Sequence, residues 1–213
     1  MRKTTMLAFF AGVAATGAVV VLTGFGPEHD EHGQDTGHGA GNGQQAAMTP
    51  EEEMAAWMAT ANPGEHHAAL ARSIGSWNAK TSFLMDPTSP PVEAEGTMTC
   101  EWVLGGRFVK ADFHVDDMMG MPFDGLSYVG YDNIKQEYVS TWMDTFSTGI
   151  MLMTGTHDGD TATMSGTFMS PMGEATMKIV TEWTDDDHFT DTFYDLMPDG
   201  SWQKSGHIEY TRK

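Results

Sequence analysis

From Trp77 to the C-terminus, apolar and polar residues alternate in short runs separated by Gly, Pro, Asp and Asn. A period of two, interrupted by turn formers every roughly 8–12 residues, is the pattern of half-buried strands in a sandwich or barrel. Trp77, Ala79, Thr81, Phe83 and Met85 share one face of a first strand, which the Pro-rich segment 86–91 ends. Val92, Ala94, Gly96, Met98, Cys100, Trp102 and Leu104 share a face of the second, and Gly105-Gly106 turns the chain into a third over 108–115. Residues 116–122 read as a loop. Further strands are predicted over 123–131, 136–144, 149–156, 161–168, 175–183, 188–196 and 201–211. Their connections are short and rich in residues that tolerate left-handed backbone, among them Asp132-Asn133, Asp158-Gly159 and Asp199-Gly200. No helix separates these strands, so nothing forces a parallel sheet. The prediction is an all-β, ten-stranded antiparallel up-and-down barrel, since closure removes the edges that such a meander would expose.

The pattern is different before Trp77. Thr49-Pro50-Glu51-Glu52-Glu53 supplies a cap, a proline for the first helical position and acids for the first turn, followed by Met54, Trp57 and Met58 at helical spacing. That helix should stop by Asn62-Pro63-Gly64, and a second short one is expected over 65–73. Residues 27–47 hold Gly, His, Gln and Asp with almost nothing apolar, too little to offset the entropy of ordering, and read as a flexible tether. Ahead of it, Arg2 and Lys3 precede an uncharged apolar run over 4–26, the pattern of a secretion signal that is also long enough to stay as a membrane anchor. Phe25 stands where a lipoprotein box would need its cysteine, which rules out lipidation there. The expected organisation is a leader or anchor over 1–26, a linker over 27–48 and a barrel domain over 49–213. Export to the periplasm or the extracellular space follows from the leader.

Charge narrows the partners. Eleven Lys and Arg against thirty Asp and Glu give a net charge of −19, a field that repels phosphate, so nucleic acid and anionic membrane surfaces are poor partners and no nucleic acid is expected. Membrane contact is expected only through a retained N-terminal segment. Cys100 is the one cysteine, so no internal disulfide can form, and at a strand position it reads as a small buried hydrophobe.

An ordered series of short motifs carries a family resemblance: His67-Ala68-Ala69-Leu70, Ile74-Gly75-Ser76-Trp77, Leu104-Gly105-Gly106-Arg107-Phe108, Gly130-Tyr131-Asp132-Asn133, Thr141-Trp142-Met143-Asp144, and Tyr210-Thr211-Arg212-Lys213. Over residues 65–213 the chain resembles the bacterial domain-of-unknown-function family 1579. The resemblance implies a lipocalin-like barrel and no activity. Gly75-Ser76-Trp77 is also similar to the Gly-x-Trp element of lipocalins, which implies that Trp77 closes one barrel end beneath an arginine of the last strand, a place Arg212 fits.

Barrels of this size can enclose one small ligand. The inward face should supply Phe83, Trp102, Phe113, Trp142, Phe168, Trp183 and Phe193 with several methionines, and such residues serve equally a filled core or a cavity lining. Uptake of a small apolar or amphipathic molecule through the end bearing 116–122 is the first reading; a filled structural or protein-interaction barrel is the second. A metal or haem protein is the third. For it, His29, His32 and His38 in the tether and Met118, Met119 and Met121 are the metal candidates, while His207 resembles in placement the haem-binding strand of nitrobindin barrels. Strand parity puts His207 outward with Gln203, Ser205, Glu209 and Thr211, opposite Trp202, Gly206, Ile208 and Tyr210. No cofactor is therefore assigned. No nucleophile elbow, metalloprotease pair or phosphate loop occurs, and no enzyme class is assigned; His114 and Asp112 on one strand face are a place where catalysis could sit, against the plainer reading of a solvated outer face.

Overall fold

The computed structural model describes residues 48–85 and 88–213, so the leader and the tether, with His29, His32 and His38, lie outside the described residues. Helix α1 (Pro50–Ala61) opens on a reciprocal capping box. The Glu52 amide donates to the Thr49 hydroxyl at 3.3 Å, and the Thr49 amide donates to the Glu52 carboxylate at 2.8 Å. Hydrogen bonds from the Thr49 amide and hydroxyl hold the Glu52 carboxyl below its usual range. Helix α2 (Glu65–Ala69) continues as a 3₁₀ turn, Leu70–Ser73, into the first strand. Among the described residues no helix is long and apolar enough to cross a membrane.

Ten strands follow: β1 (Gly75–Phe83), β2 (Val92–Val103), β3 (Phe108–Met118), β4 (Met121–Asp132), β5 (Glu137–Asp144), β6 (Met151–Asp158), β7 (Thr161–Ser170), β8 (Gly173–Asp185), β9 (His188–Leu196) and β10 (Trp202–Arg212). Each pairs antiparallel with its chain neighbours, and β10 returns to β1 with Trp77 opposite Arg212 and Phe83 opposite Gly206, so the barrel closes and leaves no free edge. The turns after β2, β4, β6 and β8 share one end with α2 and the C-terminus; those after β1, β3, β5, β7 and β9 share the other.

Two local departures from strict alternation matter for the site. Residues 116–122 do not form a loop: β3 runs to Met118 and β4 starts at Met121, joined by Met119 (φ 59°) and Gly120 (φ 87°). Two consecutive left-handed residues make the primed hairpin turn that matches strand twist, and the Gly120 amide donates to the Asp117 carboxylate at 2.6 Å. Methionine is not a turn former, which hides this hairpin in the sequence. The second departure is a register shift between Lys204 and Gly206 of β10. The extra residue breaks the parity of the strand. Ser205, expected outside, lines the interior, while Trp202 lies outside with the Lys178 ammonium 4.4 Å from its ring.

Candidate functional site

At the helical end of the barrel, aromatic rings lie clamped under two arginines. Trp77, inward on β1, has no exposed surface and donates its indole N–H to the Ser73 carbonyl at 2.8 Å. The Arg212 guanidinium lies 4.0 Å from the Trp77 ring centre. It donates to the carbonyls of Ile74 (2.8 Å), Arg72 (2.9 Å) and Asp186 (2.7 Å) and to the Asp187 carboxylate (3.1 Å). A planar fork of donors suits this site, where a lysine would satisfy fewer acceptors. Arg72 repeats the device over Trp183 at 4.6 Å, held by Asp160 at 2.6 Å and Asp186 at 3.0 Å. Beneath them Trp183 packs on Phe189 (4.5 Å) and Phe189 stacks on Tyr210 (4.3 Å), forming a floor. Alongside, His66 of α2 stacks on Tyr131 at 4.1 Å, and the Tyr138 hydroxyl donates to the His66 carbonyl at 3.2 Å.

Above the floor a cavity of about 320 Å³ extends from Leu70 and Ser73 to Leu84 and Met85 at the far end. That volume is at the lower bound of small-molecule sites, which span about 300–1,000 Å³. Leu84 lines the cavity at its far, or mouth, end and is 37 % exposed. One wall carries Phe113, Phe123 and Trp142, with Phe123 and Trp142 stacked at 6.4 Å; the opposite wall carries Phe83 against Phe193 at 5.2 Å. Seven methionines, including Met98, Met153, Met164 and Met177, fill the lining between them and give it deformable walls. Exposed apolar side chains also ring the mouth: Leu84 after β1, Met119 and Met121 about the β3–β4 turn, Ile150 before β6, Met169 and Met172 about the β7–β8 turn, and Leu196 at the end of β9.

A few polar groups interrupt this lining. Strand β9 points Phe189, Asp191, Phe193 and Asp195 inward in alternation. The Asp191 carboxylate accepts from the Thr181 hydroxyl at 2.5 Å and from the Tyr210 hydroxyl. Burial nevertheless pushes its pKa up to about 6, the two hydroxyls recovering part of the loss. Tyr210, between burial and the neighbouring carboxylate, is held well above its ordinary value and stays a donor. Nearer the mouth, Asp195 is also raised by burial and accepts from Ser205. Cys100 lines the cavity too, and burial pushes its thiol up to about 12, so it presents an inert, apolar surface at neutral pH.

Of the seven aromatic residues expected to face a ligand, Phe83, Phe113, Trp142, Trp183 and Phe193 come together around the cavity. Trp102 and Phe168 do not line it. Trp102 follows Cys100 on the inward face but sits near the end of β2 and is 37 % exposed, and Phe168 lies beyond Met164 on β7, past the cavity toward the mouth. Asp191 and Asp195 were missed, although their alternation with Phe189 and Phe193 is visible in the sequence. His207 is outside the cavity and bonds Thr192 at 3.0 Å, so it offers no axial ligand to a haem inside the barrel. The surface pair of His114 with Asp112 is also corrected: His114 lies between Asp124 (2.6 Å) and Asp116 (3.1 Å), both raising its pKa, while Asp112 pairs with Lys110 at 2.7 Å. The proposed methionine trio divides, with Met118 buried and Met119 and Met121 exposed. Among the described residues no group of three or more His, Cys, Asp or Glu side chains is placed to hold a metal ion.

The model of the protein family of unknown function DUF1579 matches residues 62–212. Among solved structures, Rv2717c from M. tuberculosis is similar at 15 % identity and a TM-score of 0.50, covering 71 % of this chain and 99 % of that one. A redesigned β-barrel aligns at 12 % identity and a TM-score of 0.38, over 68 % of this chain and 95 % of its own. The first of these likenesses shows a shared fold and nothing further. No curated protein matches the chain.

Proposed function

The chain belongs to the DUF1579 family of unknown function, and within that family's barrel we propose that it binds a small apolar or amphipathic molecule. The observation that carries this reading is the cavity: about 320 Å³, walled by aromatic rings and methionines, with a few polar groups converging on one side. A filled core would have spent those side chains on one another. Burial of a ligand here gains roughly 25 cal/mol per Å² of apolar surface. The exposed apolar side chains around the mouth, among them Leu84 and Met121, support that end as the route in for an apolar solute.

The charged start and apolar run over 4–26 support an exported setting for this barrel, freed by cleavage or tethered through a retained segment. N-terminal sequencing of the chain recovered from cells tests this; export predicts a start after the apolar run or recovery with membranes, and an intact start in the soluble cytoplasm contradicts it. For binding, the test is native mass spectrometry of the full chain purified without detergent, beside the same sample denatured. A reproducible excess mass lost on denaturation supports the reading. A clean apo mass, with no tryptophan emission change on adding small apolar probes, contradicts it, because Trp142 and Trp183 line the cavity and would report occupancy.

A further inference from the structure

We propose that the ligand of this cavity carries a basic nitrogen: a protonated amine on an apolar body, paired with Asp191. The proposal rests on the reading of the cavity as a binding site and adds the chemistry of its occupant. Asp191 is enclosed by protein, lies level with Thr181 of β8 and Ile208 of β10, and faces the cavity. Hydroxyl donors from Thr181 and Tyr210 solvate its carboxylate but do not neutralise it. Among the described residues it forms no ion pair. The lining contains a second carboxyl, Asp195, and neither Lys nor Arg; His157, the one imidazole there, sits against Tyr138 with ring centres 5.6 Å apart.

The interior is therefore built for positive charge. A carboxylate of a fatty-acid type ligand would meet two acids and no cation, in a medium where like charges repel strongly. An ammonium group would gain the missing counter-charge from Asp191, beside the Tyr210 hydroxyl that already donates to that carboxylate. Its apolar body would then lie along Phe83, Phe193 and the methionines toward the mouth. The net charge of −19 acts in the same direction at long range, concentrating cations near the protein.

The test is a matched series of phenylbutylamine, phenylbutanol and phenylbutyrate, titrated at pH 7.5 against the full chain and followed by tryptophan emission and calorimetry. The amine is expected to bind at least about tenfold more tightly than the alcohol, equivalent to about 1.4 kcal/mol, and the acid more weakly than both. In D191N, which removes the charge and keeps one acceptor oxygen beside Thr181 and Tyr210, the amine should lose its advantage over the alcohol. Equal binding of amine and alcohol by the unmodified chain, or preference for the acid, overturns the proposal and leaves apolar binding standing. Binding of none of the three overturns both.

Discussion

Asp191 is the residue on which most depends. Folding raises its carboxyl from an ordinary 3.8 to about 6, so between these values the folded chain holds more protons than the unfolded one. Stability then falls as pH rises through that window and stays lower above it, by an amount on the order of 3 kcal/mol. The groups facing it, Thr181 on β8, Tyr210 and Ile208 on β10 and Cys100 on β2, include no cation that would reverse the sign. D191N is expected to raise the thermal midpoint at pH 7.5 and leave it nearly unchanged at pH 4, a difference that calorimetry would measure. A destabilising cost tolerated inside a barrel is what a binding residue looks like. Cys100 supplies a quieter check: with its thiol pushed up to about 12 and buried, it should resist hydrophilic thiol reagents at pH 7.5 and become reactive on unfolding.

At the scale of elements, the closing end holds the fold together. Arg212 joins β10 to the 3₁₀ turn, to β1 and to the β8–β9 turn through one guanidinium over Trp77. R212K would leave several carbonyls without their donor and is expected to cost about 2–4 kcal/mol; W77A empties a fully buried site and should cost about 3–5 kcal/mol. Chemical denaturation measures both. On β10, a Cβ added to Gly206 would fall onto the ring of Phe83, so G206A should displace that ring and disturb the cavity wall with little change in the distant floor.

Much of this was legible from the residues. Period-two alternation located all ten strands, because each buries one face and wets the other, and the capping sequence located α1. Alternation gives the face of a side chain and not its height in the barrel, which is why Trp102 and Phe168 were grouped with the five aromatic residues that line the cavity. The Met119-Gly120 turn escaped because its geometry comes from strand twist and the Asp117 bond, not from a typical turn pair. Ser205 and Trp202 were assigned to the wrong faces because one bulge residue inverts parity. The inward acids of β9 were hidden by expectation: Asp between Phe residues is usually read as the wet face, and here they share one.

At the scale of the barrel, the aromatic floor, the mouth ringed by apolar residues and the cavity between them support the reading of a container. Replacing Ala111, which lines the cavity centrally opposite Cys100 in the register, with phenylalanine fills that container from within. Overpacking should cost about 1–3 kcal/mol and leave the barrel folded. The most direct test of the interior as the binding site is therefore a titration of an apolar fluorophore with the unmodified chain and with A111F, circular dichroism confirming that both are folded. Occupation of the barrel predicts saturable binding that weakens at least about tenfold in A111F, equivalent to about 1.4 kcal/mol; equal binding by both would place the probe on the surface and contradict the container.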